Sequence, residues 1–184
     1  MRLFTGLDLP AAVLRNLEEL LDDLRPTAPI QWSPIGNLHV TTKFIGEWPE
    51  ERLPELVSAL QALPPRPNIH LRICGSGFFP NERSPRVFWC GVEAPGLSSL
   101  ARDTDQAAAA LGVAGEKRPY SPHLTLARIR QEGVDLRRLR KKVAARSWLD
   151  LGSFEAHSFF LYRSQLRPNG SVYTKLAEFP FSKR

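Results

Sequence analysis

An α+β fold, built on antiparallel sheets with helices covering one face, is predicted from three features of this sequence. Helical and strand-like segments occur in mixed order, neighbouring strand patterns form hairpin-like pairs, and no low-complexity run or long linker divides the 184 residues. Mixed order of this kind is typical of α+β proteins. The length suits one domain or two small lobes sharing a core, and we expect one compact unit over residues 1–184.

Apolar periodicity and proline stops define the elements of the first half. Residues 2–8 alternate as a strand does, and apolar side chains then recur at helical spacing over residues 11–25 until Pro26 ends the pattern. A loop rich in Pro, Ser and Asn follows. The remaining predictions are strands over residues 38–45, 69–74 and 86–92 and a helix over residues 49–63.

The second half is predicted from the same signals. Helices are expected over residues 95–111 and 134–148, with a strand over residues 123–129 between them. Two long strand patterns, residues 154–166 and 172–179, then flank a turn at residues 167–170 that contains Pro, Asn and Gly. This closing pair is predicted to form a hairpin.

The charge balance favours a polyanionic partner without establishing one. The chain has 25 basic and 19 acidic residues, a formal net charge of +6. Each phosphate contact made by Lys or Arg releases condensed counterions, so basic proteins are biased toward nucleic acids. A basic surface with no such partner fits the charge equally well.

Two cysteines and the N-terminal segment bear on the compartment. Cys74 and Cys90 lie in apolar, strand-like segments without metal-ligand spacing, which is typical of reduced core residues in a reducing compartment. Neither a signal peptide nor a stretch of about 20 apolar residues is present in the sequence. We therefore expect a cytoplasmic protein with no membrane partner.

Two of the four histidines share a pattern. His39 and His123 are each followed two residues later by a threonine, Thr41 and Thr125, in the segments HVTTKFIG and HLTLARIR. Since side chains alternate along a strand, each His and its Thr project from the same face. The two segments lie 84 residues apart and suggest a weak internal duplication. Facing one another across a cleft, they would surround a single anion.

Paired imidazoles and hydroxyls suit the opening of a cyclic phosphodiester. One neutral and one protonated imidazole can remove a proton from water and return one to the departing ribose oxygen near neutral pH. Threonine hydroxyls can donate to the non-bridging oxygens. Neither motif has an adjacent carboxylate or thiolate, so no metal and no cofactor are expected. His70 and His157, which lack the Thr, are interpreted as structural.

The two motifs resemble the HxTx motifs of the 2H phosphoesterase superfamily. More closely, the chain resembles its RNA 2′,3′-cyclic phosphodiesterase family, also described as 2′-5′ RNA ligase-like. The resemblance extends over essentially the whole chain, through RLFTGLDLP, HVTTKFIGE, FFPNERSPRVFWCGV, YSPHLTLAR and SQLRPNGSVYTKLAEF. It implies two similar antiparallel-sheet lobes related by a pseudo-two-fold axis, with helices on the outer faces and both motifs at a central active-site cleft.

The resemblance also implies roles for five residues. His39 would be the proton donor, His123 the proton acceptor, and Thr41 and Thr125 would hold the phosphate, with Arg128 as a further phosphate ligand. Arg128 follows His123 by an odd offset, so it reaches the phosphate only if the strand twists or bulges after residue 127.

One departure from the family pattern lies within the first motif. Thr42 stands where the family usually has an apolar residue. We expect its side chain to point away from the cleft.

The resemblance implies a partner and leaves several activities open. The partner would be RNA with a 2′,3′-cyclic phosphate terminus, tRNA fragments among them, bound by a monomer. Hydrolysis and 2′-5′ ligation need the same two proton transfers. A cyclic phosphodiesterase of small nucleotide derivatives and a non-catalytic RNA-end-binding module are the alternatives.

Further RNA contacts are open at the level of sequence. The basic helix predicted over residues 134–148 suits either a solvated face or an RNA-binding patch, and four aromatic side chains suit either packing or base stacking. These aromatic residues are Trp32, Phe79, Tyr120 and Tyr173.

Overall fold

A computed structural model of the chain describes residues 1–146, 149–168 and 170–182. The predicted α+β class is confirmed, with two antiparallel sheets and four α-helices in this described part. The strands are β1 (Arg2–Leu7), β2 (Gln31–Trp32), β3 (Val40–Glu47), β4 (Ile69–Phe79), β5 (Val87–Glu93), β6 (His123–Arg128), β7 (Asp150–Ala156), β8 (Ser158–Arg167) and β9 (Gly170–Pro180). The helices are α1 (Ala11–Leu24), α2 (Leu53–Gln61), α3 (Leu97–Ala110) and α4 (Arg137–Ala144).

Each sheet contains one of the two His-x-Thr segments. The first sheet has the order β3-β1-β8-β9 and carries Thr41 on β3, and the second has the order β2-β6-β5-β4-β7 and carries Thr125 on β6. All the strand pairs are antiparallel. The two motif strands, β3 and β6, approach one another where the sheets meet.

The chain crosses between the sheets through its helices. Helix α1 follows β1 of the first sheet but packs on β7 of the second, and α3 follows β5 of the second sheet but packs on β3 of the first. The apolar stripe of α1 is buried, as its spacing predicts. One hydrophobic cluster therefore runs through both sheets and their helices. None of the helices in the described part has the length and apolar character needed to cross a bilayer.

Several predicted bounds differ from the observed ones. The strand expected over residues 154–166 is two strands in different sheets, β7 and β8, which are separated by His157. The carbonyl of His157 accepts a 2.9 Å hydrogen bond from the Phe181 amide at this break. Strand β4 continues five residues beyond its predicted end, and β2 occupies a segment predicted to be loop.

The last predicted helix and the closing turn are only partly described. Helix α4 is shorter than the predicted 134–148, and residues 147–148 of that range lie outside the described residues. The hairpin of β8 and β9 is confirmed by their antiparallel pairing, whereas Asn169 in its predicted turn lies outside the described residues.

Candidate active site

The two histidines occupy equivalent places at the start of their strands. His123 is the first residue of β6, and His39 immediately precedes β3. Both are partly exposed, as are Thr41 and Thr125, whereas the intervening Val40 and Leu124 are fully buried. The expected alternation is therefore confirmed, since each His and its Thr share the face opposite the core.

Both imidazoles are anchored in the same way. Nδ1 of His39 lies 2.7 Å from the carbonyl oxygen of Asn37, and Nδ1 of His123 lies 2.8 Å from that of Ser121. A carbonyl oxygen can only accept, so each Nδ1 donates the proton. The second ring nitrogen, Nε2, then remains available to a substrate. The anchors fix both the tautomer and the ring orientation.

A β-bulge follows each motif threonine. On β3, Thr41 faces Gly6 and Lys43 faces Thr5, so Thr42 has no partner on β1. On β6, Thr125 faces Trp89 and Ala127 faces Phe88, so Leu126 is the extra residue. A bulge of this kind reverses the alternation beyond it. The two motifs thus share their local backbone irregularity as well as their residue types.

The bulge brings Arg128 to the face that carries His123. Leu126 and Ala127 are both buried, and Arg128 is exposed. Arg128 can therefore share a face with His123 despite the odd offset between them. The irregularity lies at Leu126, before residue 127 and not after it as predicted. Burial is the main cause of a lowered pKa at His39, and the charge of Arg128 acts in the same direction.

The residue equivalent to Arg128 in the first motif is Phe44, not the basic residue beside it. Phe44 is 57% exposed on the face that carries Thr41. Lys43 is also cationic and also follows its motif, but it is not the structural counterpart of Arg128. The Lys43 side chain lies on the helix side, where its Nζ is 2.7 Å from Oδ1 of Asp105 and donates to the carbonyl of Ala114.

Thr42 points away from the cleft, as expected. Its hydroxyl and that of Thr5 are 2.7 Å apart and both side chains are buried. The hydroxyl that departs from the family pattern is therefore satisfied inside the structure.

The segment from β2 to His39 connects the two motifs. Strand β2 pairs with β6, placing Gln31 opposite Arg128. The Ser33 amide and hydroxyl then donate to the carbonyls of Leu126 and Thr125, at 2.8 and 2.7 Å. Six residues after Ser33 the chain reaches His39. The position of the first imidazole is thus tied to the backbone of the second motif.

Aromatic rings surround His39. Its ring centroid lies 4.6 Å from that of Phe4 and 5.1 Å, edge to face, from that of Tyr173. Burial among these rings lowers the pKa of His39 below its ordinary value, because it disfavours the charged form. Of the nearby charges, Asp8 raises this pKa and His123 lowers it.

The aromatic residues beside His123 differ from those around His39. The Phe79 ring meets it edge to face at 5.1 Å and is itself 5.1 Å from the Trp89 ring. Trp89 in turn covers Gly77, where an added Cβ would lie 2.3 Å from the indole. Gly77 therefore leaves room for the indole of Trp89, whose strand partners are Gly77 on one side and Thr125 on the other.

The candidate stacking residues separate into two groups. Phe79 and Tyr173 contact the histidine rings, whereas Trp32 and Tyr120 hold backbone carbonyls with their polar atoms. Within the described residues, no three His, Cys, Asp or Glu side chains cluster in a way that could hold a metal ion.

Comparison with known families identifies the arrangement. The sequence model of a family described as LigT like Phosphoesterase matches residues 7–89 and, a second time, residues 91–173. The chain belongs to the LigT-like phosphoesterase family. The two matches separate the first motif from the second, in agreement with the duplication that the paired His-x-Thr segments indicate.

Relatives of this LigT-like phosphoesterase match it over nearly its full length. The RNA 2′,3′-cyclic phosphodiesterase of Methanocaldococcus jannaschii is 32% identical over 97% of this chain and 99% of its own. The crystal structure of TT0787 of Thermus thermophilus has a TM-score of 0.81 and 31% identity, covering 98% of each chain. That of E. coli LigT complexed with 3′-AMP has a TM-score of 0.80 and 28% identity, covering 99% of this chain and 98% of LigT.

One feature of the phosphoesterase site has no signal in the sequence pattern. Asp8, at the end of β1, accepts hydrogen bonds from the Tyr162 hydroxyl on β8 and from Nζ of Lys175 on β9. Its carboxylate is the negative charge that raises the pKa of His39. Asp8 directly follows β1, and its partners lie on β8 and β9, so their convergence depends on the order of the sheet.

Proposed function

We propose that this protein hydrolyses 2′,3′-cyclic phosphate ends of RNA to 2′-phosphates. The observation that carries the proposal is the matched anchoring of two imidazoles, each with Nδ1 held by a backbone carbonyl and Nε2 left for a substrate. The name of the M. jannaschii relative, RNA 2′,3′-cyclic phosphodiesterase, supports the same reaction.

In the proposed reaction His123 acts as the base and His39 as the acid. His123 takes a proton from the attacking water as its oxygen bonds to phosphorus. The bond from phosphorus to the ribose 3′ oxygen breaks, and His39 gives that oxygen a proton. The products are a 2′-phosphate and a free 3′-hydroxyl. Thr41 and Thr125 donate to the non-bridging oxygens, and Arg128 offsets the charge that develops there.

The environment of His39 supports its role as the acid. Burial lowers the pKa of this imidazole, so its protonated form is a stronger acid than an exposed imidazolium. A bound phosphate anion opposes the shift, because it favours the charged ring that donates the proton. Protonation of His39 and substrate binding are therefore coupled. The Asp8 carboxylate acts in the same direction as the phosphate.

The same groups serve a ligation reaction. If a 5′-hydroxyl of RNA replaces water, its oxygen attacks phosphorus and a 2′-5′ linkage forms. The proton transfers at His123 and His39 are unchanged. We include reversible 2′-5′ ligation in the proposal, with RNA ends such as tRNA fragments as substrates.

The proposed enzyme is a cytoplasmic monomer that uses no metal. The motifs supply the acid, the base and the phosphate-binding groups from one chain, so both proton transfers proceed without a second subunit. The crossings of α1 and α3 between the sheets support a single bilobal unit over residues 1–184.

A second candidate substrate is a small cyclic nucleotide. The solved structure of E. coli LigT in complex with 3′-AMP favours it, because that neighbour accommodates a mononucleotide. The two candidates share the site and differ in what lies beyond the first nucleotide.

Mass analysis of products tests the proposal. An oligoribonucleotide ending in a 2′,3′-cyclic phosphate should gain about 18 Da, and a 3′-phosphatase-resistant 2′-phosphate should be formed. Tight binding without any gain in mass would instead identify a non-catalytic RNA-end-binding module. Comparison with 2′,3′-cyclic AMP under the same conditions separates the two candidate substrates.

A further inference from the structure

A groove rich in arginine lies at the end of the second sheet, next to Arg128. It has a volume of about 550 Å³, and its walls are the loop between β4 and β5 and the segment from β6 to α4. Four arginines and two carboxylates line it. The arginines are Arg83, Arg86, Arg137 and Arg140.

The groove adjoins the end of β6 that carries Arg128. Ile129, the residue after Arg128, lines it and its amide donates a 2.9 Å hydrogen bond to the carbonyl of Arg86. Val87, which follows Arg86, is the strand partner of Arg128. A chain whose terminal phosphate sits at Arg128 therefore has an arginine-lined path immediately beyond it.

We propose that this groove binds the backbone phosphates of the RNA nucleotides that precede the cyclic end. The inference rests on the proposed function, which places that end at His39 and His123. Arginine suits this role because its planar guanidinium can donate two parallel hydrogen bonds to one phosphate. The groove would thus distinguish an RNA end from a mononucleotide.

Two of these arginines, Arg83 and Arg86, are accessible to such a ligand. No carboxylate among the described residues pairs with Arg83, and the loop that carries it is held by the Asn81 side chain, which accepts from the amides of Arg83 and Ser84 at 2.9 Å. Arg86 pairs with Glu132 at 3.0 Å, and their side chains are 52% and 87% exposed. Ion pairs this exposed contribute little and can exchange a carboxylate for a phosphate.

The groove also divides the basic residues of α4 and of the turn that follows it into two sets. Arg140 faces the groove and lies 5.3 Å from the Phe78 ring. Lys142 and Arg146 instead pair with Asp23 of α1. Only the first set has a place on the RNA path, so the helix as a whole is not the interaction surface.

The test compares a groove variant with a matched charge variant. The groove variant is R83E/R86E, and the control is R15E/R102E, which changes the net charge equally at exposed positions on α1 and α3. Substrates are 2′,3′-cyclic AMP and a ten-nucleotide RNA ending in a 2′,3′-cyclic phosphate. Steady-state kinetics are measured from low to moderate salt with the full-length protein.

We expect R83E/R86E to raise KM for the ten-nucleotide RNA about tenfold and to leave turnover of cyclic AMP unchanged. The slope of log KM against log salt should fall by about 0.7 for each phosphate that the variant no longer binds. Equal effects of R83E/R86E on both substrates, or an equal rise in KM for the RNA in R15E/R102E, would overturn the proposal that the groove binds RNA.

Failure of the proposed function has a separate signature. The parent protein would then turn over neither substrate. In that case, fluorescence anisotropy with a labelled 3′-phosphorylated RNA still tests the groove. Weaker binding by R83E/R86E alone supports the groove, and equal binding by all three proteins rejects it.

Discussion

The hydroxyl of Tyr120, three residues before His123, donates a 2.8 Å hydrogen bond to the backbone carbonyl of Thr41. The loop that leads into the second motif is thus fastened to the strand of the first. Burial raises the pKa of Tyr120, so its hydroxyl remains a protonated donor. Together with Ser33, this contact couples the two motif strands from opposite directions.

Tyr120→Phe should loosen this coupling without disturbing the packing of the ring. We expect the free energy of unfolding to fall by about 1 kcal/mol, the usual net value of one hydrogen bond. The value of kcat/KM should fall severalfold, since the relative placement of the two imidazoles is less constrained. Denaturant unfolding and kinetics measure both. Tyr173→Phe is the stability control, because no described residue bonds its hydroxyl, and an equal loss of stability there would contradict the expectation.

Removal of either motif histidine should abolish most catalysis. His39→Ala and His123→Ala should each reduce kcat by about 10² to 10⁴, the scale of positioned acid–base catalysis. The double variant should lose far less than the product of the two effects, because the pair acts as a unit. His70→Ala and His157→Ala alter exposed side chains and serve as controls. A motif variant that keeps near-parental kcat would disprove the assignment.

The pKa of His39 should be measurable by proton NMR and should respond to ligand. In the free protein it should lie below the ordinary 6.5, and inorganic phosphate should raise it. An imidazole that titrates normally in the free protein and ignores phosphate would contradict the proposed coupling of binding to protonation.

The same shift predicts a loss of stability in mild acid. Below about pH 6.5 the unfolded His39 takes up a proton, whereas the folded one does not until its lower pKa is reached. The contribution of His39 to stability is therefore complete above 6.5 and decreases as the pH falls toward the folded value. Urea unfolding of the parent and of His39→Gln should diverge in this window. His70→Gln, at an exposed position, should follow the parent.

Activity should persist without divalent cations. Neither His-x-Thr segment supplies a carboxylate or thiolate beside its imidazole, and the proposed mechanism uses only protein groups. Turnover in excess chelator should equal turnover in buffer, and elemental analysis should find no stoichiometric metal. Loss of activity on chelation, restored by zinc or manganese, would require a different mechanism.

Arg128 should matter even for the smallest substrate. Because the bulge at Leu126 brings it to the catalytic face, Arg128→Ala should reduce kcat/KM for 2′,3′-cyclic AMP about 10²-fold, as expected for the loss of a group that stabilises developing charge. Arg128→Lys should recover part of the loss. Arg130→Ala, two residues farther along at an exposed position, is the matched control. If Arg128→Ala keeps the kinetics of the parent protein, Arg128 does not act on the phosphate.

Periodicity was sufficient for most of the fold and for the alternation within each His-x-Thr segment. Helical spacing located α1 to α3, and strand alternation placed each His beside its Thr. The sequence does not show that Phe44, and not the cationic Lys43, corresponds to Arg128, because a one-residue bulge depends on the pairing with a neighbouring strand. The prediction of one strand over residues 154–166 failed for a related reason. The residues on both sides of His157 favour strand, and tertiary contacts determine which sheet each part joins.

The association of Asp8 with His39 illustrates the remaining limit. Asp8, Tyr162 and Lys175 are distant in sequence and meet only because β1, β8 and β9 are adjacent in the first sheet. Charge and spacing give no sign of such a cluster. The lowered pKa of His39 likewise arises from rings on three strands that close around it.

The bulge that occurs in both halves bears on how two similar halves bind a ligand that lacks their symmetry. The family matches each half once, and each half carries the same imidazole, hydroxyl and extra residue at the same offsets. Two identical halves would offer a ribose phosphate two equivalent acids and two equivalent bases. Because both halves belong to one polypeptide, their residues can differ. The fifth position after each histidine does differ, with an aromatic ring at Phe44 and a cation at Arg128.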